Sequence, residues 1–294
     1  MTAGALANSD TTDIAASFAQ AGLDIVSAAV DVTDADVESP SSVTATVTTT
    51  VTVRDRATQE ISDASWSDTH VLALAGAGDG TRVVSDRIED DRATADTTPA
   101  NGTVSAATPA ALLATAASSR KEPNVDTIKF ITYALKWTQG SAMNSAYPSY
   151  SNNCANFASQ VLDNAGWSYA QGNSLQVSDT SVWTPNLRGV AGASRTWSAA
   201  RYLYTFAKNS GAYTTLSDKY KATPGDLLFV DWDPNGKADG TIDHVMVVTG
   251  SAGTNMPRIS QKSPNRHNIP LSTSITLAKQ QGKTKITWHA LKHH

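Results

Sequence analysis

Of the 7 Trp, 8 Tyr and 5 Phe in the 294-residue chain, only Phe18 and Trp66 precede residue 122. Buried apolar area supplies most of the folding free energy, and aromatic rings supply the most area per side chain. The chain therefore divides into an aromatic-poor first part and an aromatic-rich second part. Between them lies a stretch of Ala, Thr, Ser and Pro with no aromatic ring. That composition reads as a flexible linker, with a short helix expected around Ala110–Ala117. The expected organisation is an accessory domain over 1–92, a linker over 93–122 and a main domain over 123–294.

Charge follows the same divide. Residues 1–122 carry 18 acidic and 7 basic side chains, a net −11, and residues 123–294 carry 9 and 16, a net +7. Opposed charge of this size reads as two domains with different partners, as a contact between the acidic first domain and the basic second, or as solubility chemistry on two surfaces. The second part has no clustered basic patch or nucleic-acid motif, so nucleic acid is not an expected partner. No apolar run is long enough to span a bilayer. The N-terminus has no basic stretch followed by an apolar one, so as written it is not an intact secretory signal. His293-His294 has the look of a tag remnant.

Ile14, Phe18, Ala21 and Ile25 recur at near-helical spacing and predict a helix over Asp13–Val30. Ser42–Arg54 alternates Val or Ala with Thr, a period-two strand of β-branched residues. Trp66–Leu74 and Arg82–Ile88 read as further strands joined by a turn over Gly76–Gly80. A helix followed by antiparallel strands is an α+β pattern. In the second part, helices are expected over Asp126–Trp137, Cys154–Ala165 and Trp197–Lys208. Strands are expected over Leu227–Trp232, His244–Thr249, Arg258–Gln261 and Lys285–Ala290, again an α+β order.

Cys154 is the one cysteine, so it forms no internal disulfide and no cysteine-rich zinc site. It stands in Asn152-Asn153-Cys154-Ala155-Asn156-Phe157-Ala158-Ser159-Gln160, at the start of a helix, with Asn152 or Asn153 as the cap. Unpaired N–H groups and the positive helix end stabilise a thiolate there and can hold an oxyanion. His244 opens an apolar strand and is a suitable general base for that thiol. A third group should orient the imidazole. Gln261 on the next strand is the candidate, with Asn265 as the alternative. The oxyanion would sit on the Cys154 N–H, helped by Tyr147 or Tyr150.

These pieces resemble a known family, the Putative amidase domain, grouped with the NlpC/P60- and CHAP-like papain superfamily. The resemblance covers roughly residues 123–292. It is carried by Tyr133-Ala134, Trp137, Asn144, Tyr147-Pro148, the Cys154–Gln160 block with Gly166-Trp167, Ser194–Trp197, Pro224-Gly225-Asp226, Asp243-His244 and Ile259-Ser260-Gln261. It implies an α+β, papain-like (NlpC/P60-type) cysteine hydrolase domain behind a smaller α+β accessory domain. It also implies Cys154 as nucleophile, His244 as base and a third group at the position of Gln261. Three positions depart from the family pattern: Asn153 in place of Asp, Ala155 in place of Thr or Ser, and Lys262 in place of His. The implied protein is secreted or envelope-associated and bacterial, cutting amide bonds of a peptide or peptidoglycan. The rival readings are a wall- or protein-binding module without catalysis, and a thiol acyltransferase.

One loop carries a separate expectation. Asp231, Asp233, Asn235, Lys237 and Asp239 fall at positions 1, 3, 5, 7 and 9 of an EF-hand-type loop, with Gly236 at position 6. The bidentate Glu of position 12 is missing, and Asp243 is the candidate to replace it. The loop reads either as a structural Ca2+ site or as an Asx-rich turn.

Overall fold

The computed structural model describes residues 9–76, 81–88, 122–232, 239–253 and 255–294. It opens with α1 (Ser9–Gln20) and the long strand β1 (Leu23–Ser39). The helix stops ten residues before the spacing suggests, because Gly22 takes φ +75°, a left-handed conformation that costs glycine nothing. A meander follows: β2 (Ser42–Asp55), β3 (Ile61–Ala75) and β4 (Arg82–Ile88). Most of the expected linker, its short helix and most of the Gly76–Gly80 turn lie outside the described residues.

The second part begins with α2 (Thr127–Thr138) and α3 (Cys154–Asn164), close to their expected bounds. The helix expected over 197–208 is two, α4 (Arg195–Ser198) and α5 (Ala200–Asn209), broken where Ala199 is extended. Then come β5 (Tyr213–Leu216), β6 (Leu227–Trp232), β7 (His244–Ser251), β8 (Pro257–Gln261), β9 (Arg266–Pro270), α6 (Leu271–Gln280) and β10 (Ile286–His293). Of these, β5, β9 and α6 had no counterpart in the sequence reading.

Among the described residues, the ten strands join one antiparallel sheet, ordered β1-β2-β3-β9-β8-β7-β6-β10-β5, with β4 also on β3. This overturns the expected fold class. The architecture is a single large antiparallel sheet with few helices, not a papain-like α+β domain behind a separate α+β unit. The reason lies in β3. Its later half, His70–Ala75, pairs with β4, while its earlier half pairs with β9 through Ser65↔His267 and Trp66↔Arg266. A 15-residue strand outruns its own hairpin, and the open edge it leaves is covered by the next strand available. The junction is reinforced by a buried ion pair, Arg266 Nη2 to Asp68 Oδ1 at 2.7 Å, with Arg266 Nη1 donating to Ser67 O.

The central strands are apolar on both faces, so each face carries a core. Leu227, Phe229, Val245 and Val247 pack under α2, α3 and α5, with Trp183 and Trp197. Leu228, Val230, Met246 and Val248 face the opposite core, which holds Phe18, Trp66, Ile259, Ile269 and Leu277. At the chain end His293 is built into the fold: its N and Nδ1 both meet the fully buried Asp226 Oδ1, at 2.9 and 2.7 Å.

Candidate active site

Helix α3 starts at Cys154 with Asn153 at its N-cap position, and Asn152, one residue earlier, accepts from Cys154 N through its Oδ1 at 3.1 Å. Asn153 braces the loop before the helix: its Oδ1 accepts from Tyr150 N and from Asn156 Nδ2. Behind it runs a buried chain of amides. Asn156 Oδ1 accepts from Trp197 Nε1 at 2.7 Å and from Gln160 Nε2, while Gln160 Oε1 accepts from Tyr133 OH. Asn144 Nδ2 closes the chain on Tyr133 OH. Buried amides need such partners, and together they fix the helix that carries the thiol.

The thiol lies against the entry of β7. Cys154 Sγ is 3.9 Å from Asp243 O, and the N–H groups of Val245 and Ala155 also act on it. The sulfur therefore meets the backbone immediately before His244. Burial pushes the thiol pKa up to about 11, against the partial pull of those N–H groups. The resting sulfur is thus a thiol.

His244 is also buried, but its ring turns elsewhere. Its cross-strand partner is Val230, on the sheet face of Met246 and Val248, whereas Cys154 belongs to the core on the other face. The imidazole stacks on Trp232 at 4.8 Å between centroids, and Lys283 Nζ lies 4.6 Å over the same indole. No hydrogen bond joins the thiol to the imidazole. Burial first, then the positive charges of Lys283 and Arg266, lower the His244 pKa to about 3, while Gln261 acts as a partner that raises it. That contact is loose, since neither His244 Nε2 nor Gln261 Oε1 completes a hydrogen bond. Gln261 Nε2 donates to Pro264 O. The structure thus brings Cys154, His244 and Gln261 to one end of β7 and β8, with thiol and imidazole both neutral.

A family model described as Putative amidase domain matches residues 124–287. The chain belongs to this amidase domain family. No curated protein and no solved structure matches it. The placement with the NlpC/P60 and CHAP groups has no support from the fold described above.

The other expected residues of the amidase domain fall as follows. Tyr147 OH donates to Asp163 Oδ2 at 2.6 Å, near the far end of α3 from the thiol, and Tyr150 OH accepts from Ala193 N. Burial raises the pKa of both hydroxyls. Asn265 Nδ2 donates to Thr138 O, which ties it to the end of α2. In the calcium-like loop, residues 233–238, including Asp233, Asn235 and Lys237, lie outside the described residues. Asp231 and Asp239 close the turn through Gly240 N and Thr241 N, and Asp243 Oδ2 accepts from Trp232 N. Among the described residues no group of three or more His, Cys, Asp or Glu stands together as a metal site. No helix among them is long and apolar enough to cross a membrane.

Two residues at this site had no role in the sequence reading. Trp232 was visible as the end of a predicted strand, and its alternation with Val230 places it on the face of His244. Lys283 had no signal at all, since only the turn after α6 delivers it.

Proposed function

We propose that the protein is a cysteine-dependent amide hydrolase with Cys154 as nucleophile, His244 as base and Gln261 as the group that orients the imidazole. The observation that carries this reading is the contact of Cys154 Sγ, at a helix N-terminus, with the backbone flanking His244. Because the imidazole rests on the Trp232 face of the sheet and the sulfur on the other, this reading requires His244, the first residue of β7, to move around the strand end in the reacting state before it takes the thiol proton. The thiolate electron pair forms a bond to the carbonyl carbon, the C=O π pair moves onto oxygen, and the Ala155 N–H donates to that oxyanion; the C–N bond breaks as the tetrahedral intermediate collapses. The imidazolium then protonates the leaving amine, and the same imidazole deprotonates the water that hydrolyses the thioester. Asn152 holds the Cys154 N–H and must release it for that group to join the oxyanion site.

The substrate we infer is peptidoglycan, and the protein a bacterial one that works outside the membrane. The family membership and the +7 charge of residues 123–294, suited to an anionic wall, support this. The test is the release of soluble fragments from purified sacculi by wild type and by Cys154→Ala, read by mass spectrometry. Products that vanish in the variant support the reading, and equal release by both ends it.

A second reading has one observation in its favour. The thiol and imidazole share no hydrogen bond and both are neutral, which suits a module that binds the wall without cutting it. Sacculus binding by wild type without any fragment release would select this second reading.

A further inference from the structure

Beside the nucleophile lies a cleft of about 190 Å3 whose walls come from both parts of the chain. The β2–β3 ladder supplies Thr46 and Thr69, which face each other across the strands, together with Ser67 and Asp68. The opposite side is Asn153, one residue before Cys154, and the segment from Lys262 to Asn265. Ser263 Oγ accepts from Asn153 N at 3.0 Å, so this segment is fastened to the start of the catalytic helix.

Two groups in this cleft are incompletely matched by the protein. Lys262 is almost fully buried, and its ammonium donates to Gly140 O and Ala142 O. An ammonium has three N–H groups, so one is left over. Asp68, the carboxylate that lines the same cleft, has its charge paired by Arg266, with Gln281 donating to the same oxygen, and among the described residues Lys262 forms no ion pair. Asn265 Oδ1 is buried with no protein donor. The cleft thus holds one cationic donor and one neutral acceptor, among hydroxyls and beside the Asp68 carboxylate, whose charge Arg266 balances.

We propose that this cleft is the subsite for a carboxylate-bearing residue of the substrate, with Lys262 receiving the carboxylate and Asn265 Oδ1 the amide N–H of the same residue. Because Asn153 forms one wall, that residue lies next to the bond that reaches Cys154. The inference rests on the amide-hydrolase reading only for naming the substrate a peptide. Strands β2 and β3 then contribute to specificity, giving residues 42–75 a function. Burial lowers the Lys262 pKa to about 8, so the ammonium still prevails at neutral pH, and a bound carboxylate would raise it again.

The experiment is calorimetric titration at neutral pH into full-length Cys154→Ala protein, which binds without turnover. The probes are N-acetyl-L-alanyl-D-glutamate and N-acetyl-L-alanyl-D-isoglutamine, which differ only by one carboxylate against one amide. A charge-assisted contact predicts about tenfold or tighter binding of the acid. Adding Lys262→Met removes that preference. Adding Thr69→Trp, a strand-compatible ring that fills the cleft, weakens both probes at least about tenfold, and it decides the matter if the buried Lys262→Met does not fold. Equal affinity for the two dipeptides, binding of neither, a preference that survives folded Lys262→Met, or unchanged binding after Thr69→Trp overturns the proposal. A preference for the acid in a protein that releases nothing from sacculi ends the hydrolase reading and leaves the subsite standing.

Discussion

Protonation of His244 should weaken the fold on the acid side, and the size of the effect follows from its surroundings. Burial and the charges of Lys283 and Arg266 hold its pKa near 3 in the native state, against 6.5 for the free side chain. A depressed native pKa means that the unfolded chain binds the proton first. Stability is then fully present above about pH 6.5 and is lost as pH falls towards 3. At 1.36 kcal/mol per unit, the loss between pH 6.5 and pH 4 is about 3 kcal/mol from this residue alone. Acidic groups with lowered pKa, such as Asp55 and Asp126, act in the same direction, as does the buried His267. A difference measurement removes them. Urea unfolding of wild type and His244→Gln at a series of pH values should give two curves that converge by about 3 kcal/mol from pH 6.5 to pH 4. Parallel curves would refute the reasoning. Curves that diverge as pH falls would mean that His244 gains a proton on folding, as in a thiolate–imidazolium pair.

Two other perturbations probe the same site and its support. With the Cys154 pKa near 11, alkylation by iodoacetamide should rise about tenfold per pH unit from 7 to 10, and a plateau near pH 8.5 would contradict the buried resting thiol. Arg266→Met leaves the Asp68 carboxylate buried without its cation, which should cost about 3 kcal/mol in urea unfolding, and a loss below about 1 kcal/mol would contradict the structural weight given to this junction.

Local patterns in the sequence were reliable where one face of an element was buried. The Val–Thr alternation of 42–54 became β2, and the stripe Phe157, Ala158, Val161 and Leu162 with Gly166 behind it became α3. Ile25 misled because its spacing continues that of Ile14 and Phe18, and only the conformation of Gly22 breaks the helix. The fold class failed on a non-local fact. The two residue pairs that join β3 to β9 link positions about two hundred residues apart, and no periodicity encodes them. At the site, the elements that carry Cys154, His244 and Gln261 were legible as a helix start, a strand start and a strand end, whereas their side-chain arrangement was not. Of that arrangement only the sheet face of His244 was legible, since the parity of Met246 and Val248 fixes it. The cation over the Trp232 indole, Lys283, was not legible, because its position depends on the turn after α6.

The central claim is that an amide carbonyl passes through a bond to Cys154. Intact-mass measurement of the protein, quenched in acid during turnover of sacculus fragments, tests it directly. The account predicts an added mass equal to the acyl portion of the substrate, mapped by peptide digestion to residues around Cys154 and missing in Cys154→Ala. Turnover by wild type with no adduct, together with undiminished turnover by Cys154→Ala, would contradict it.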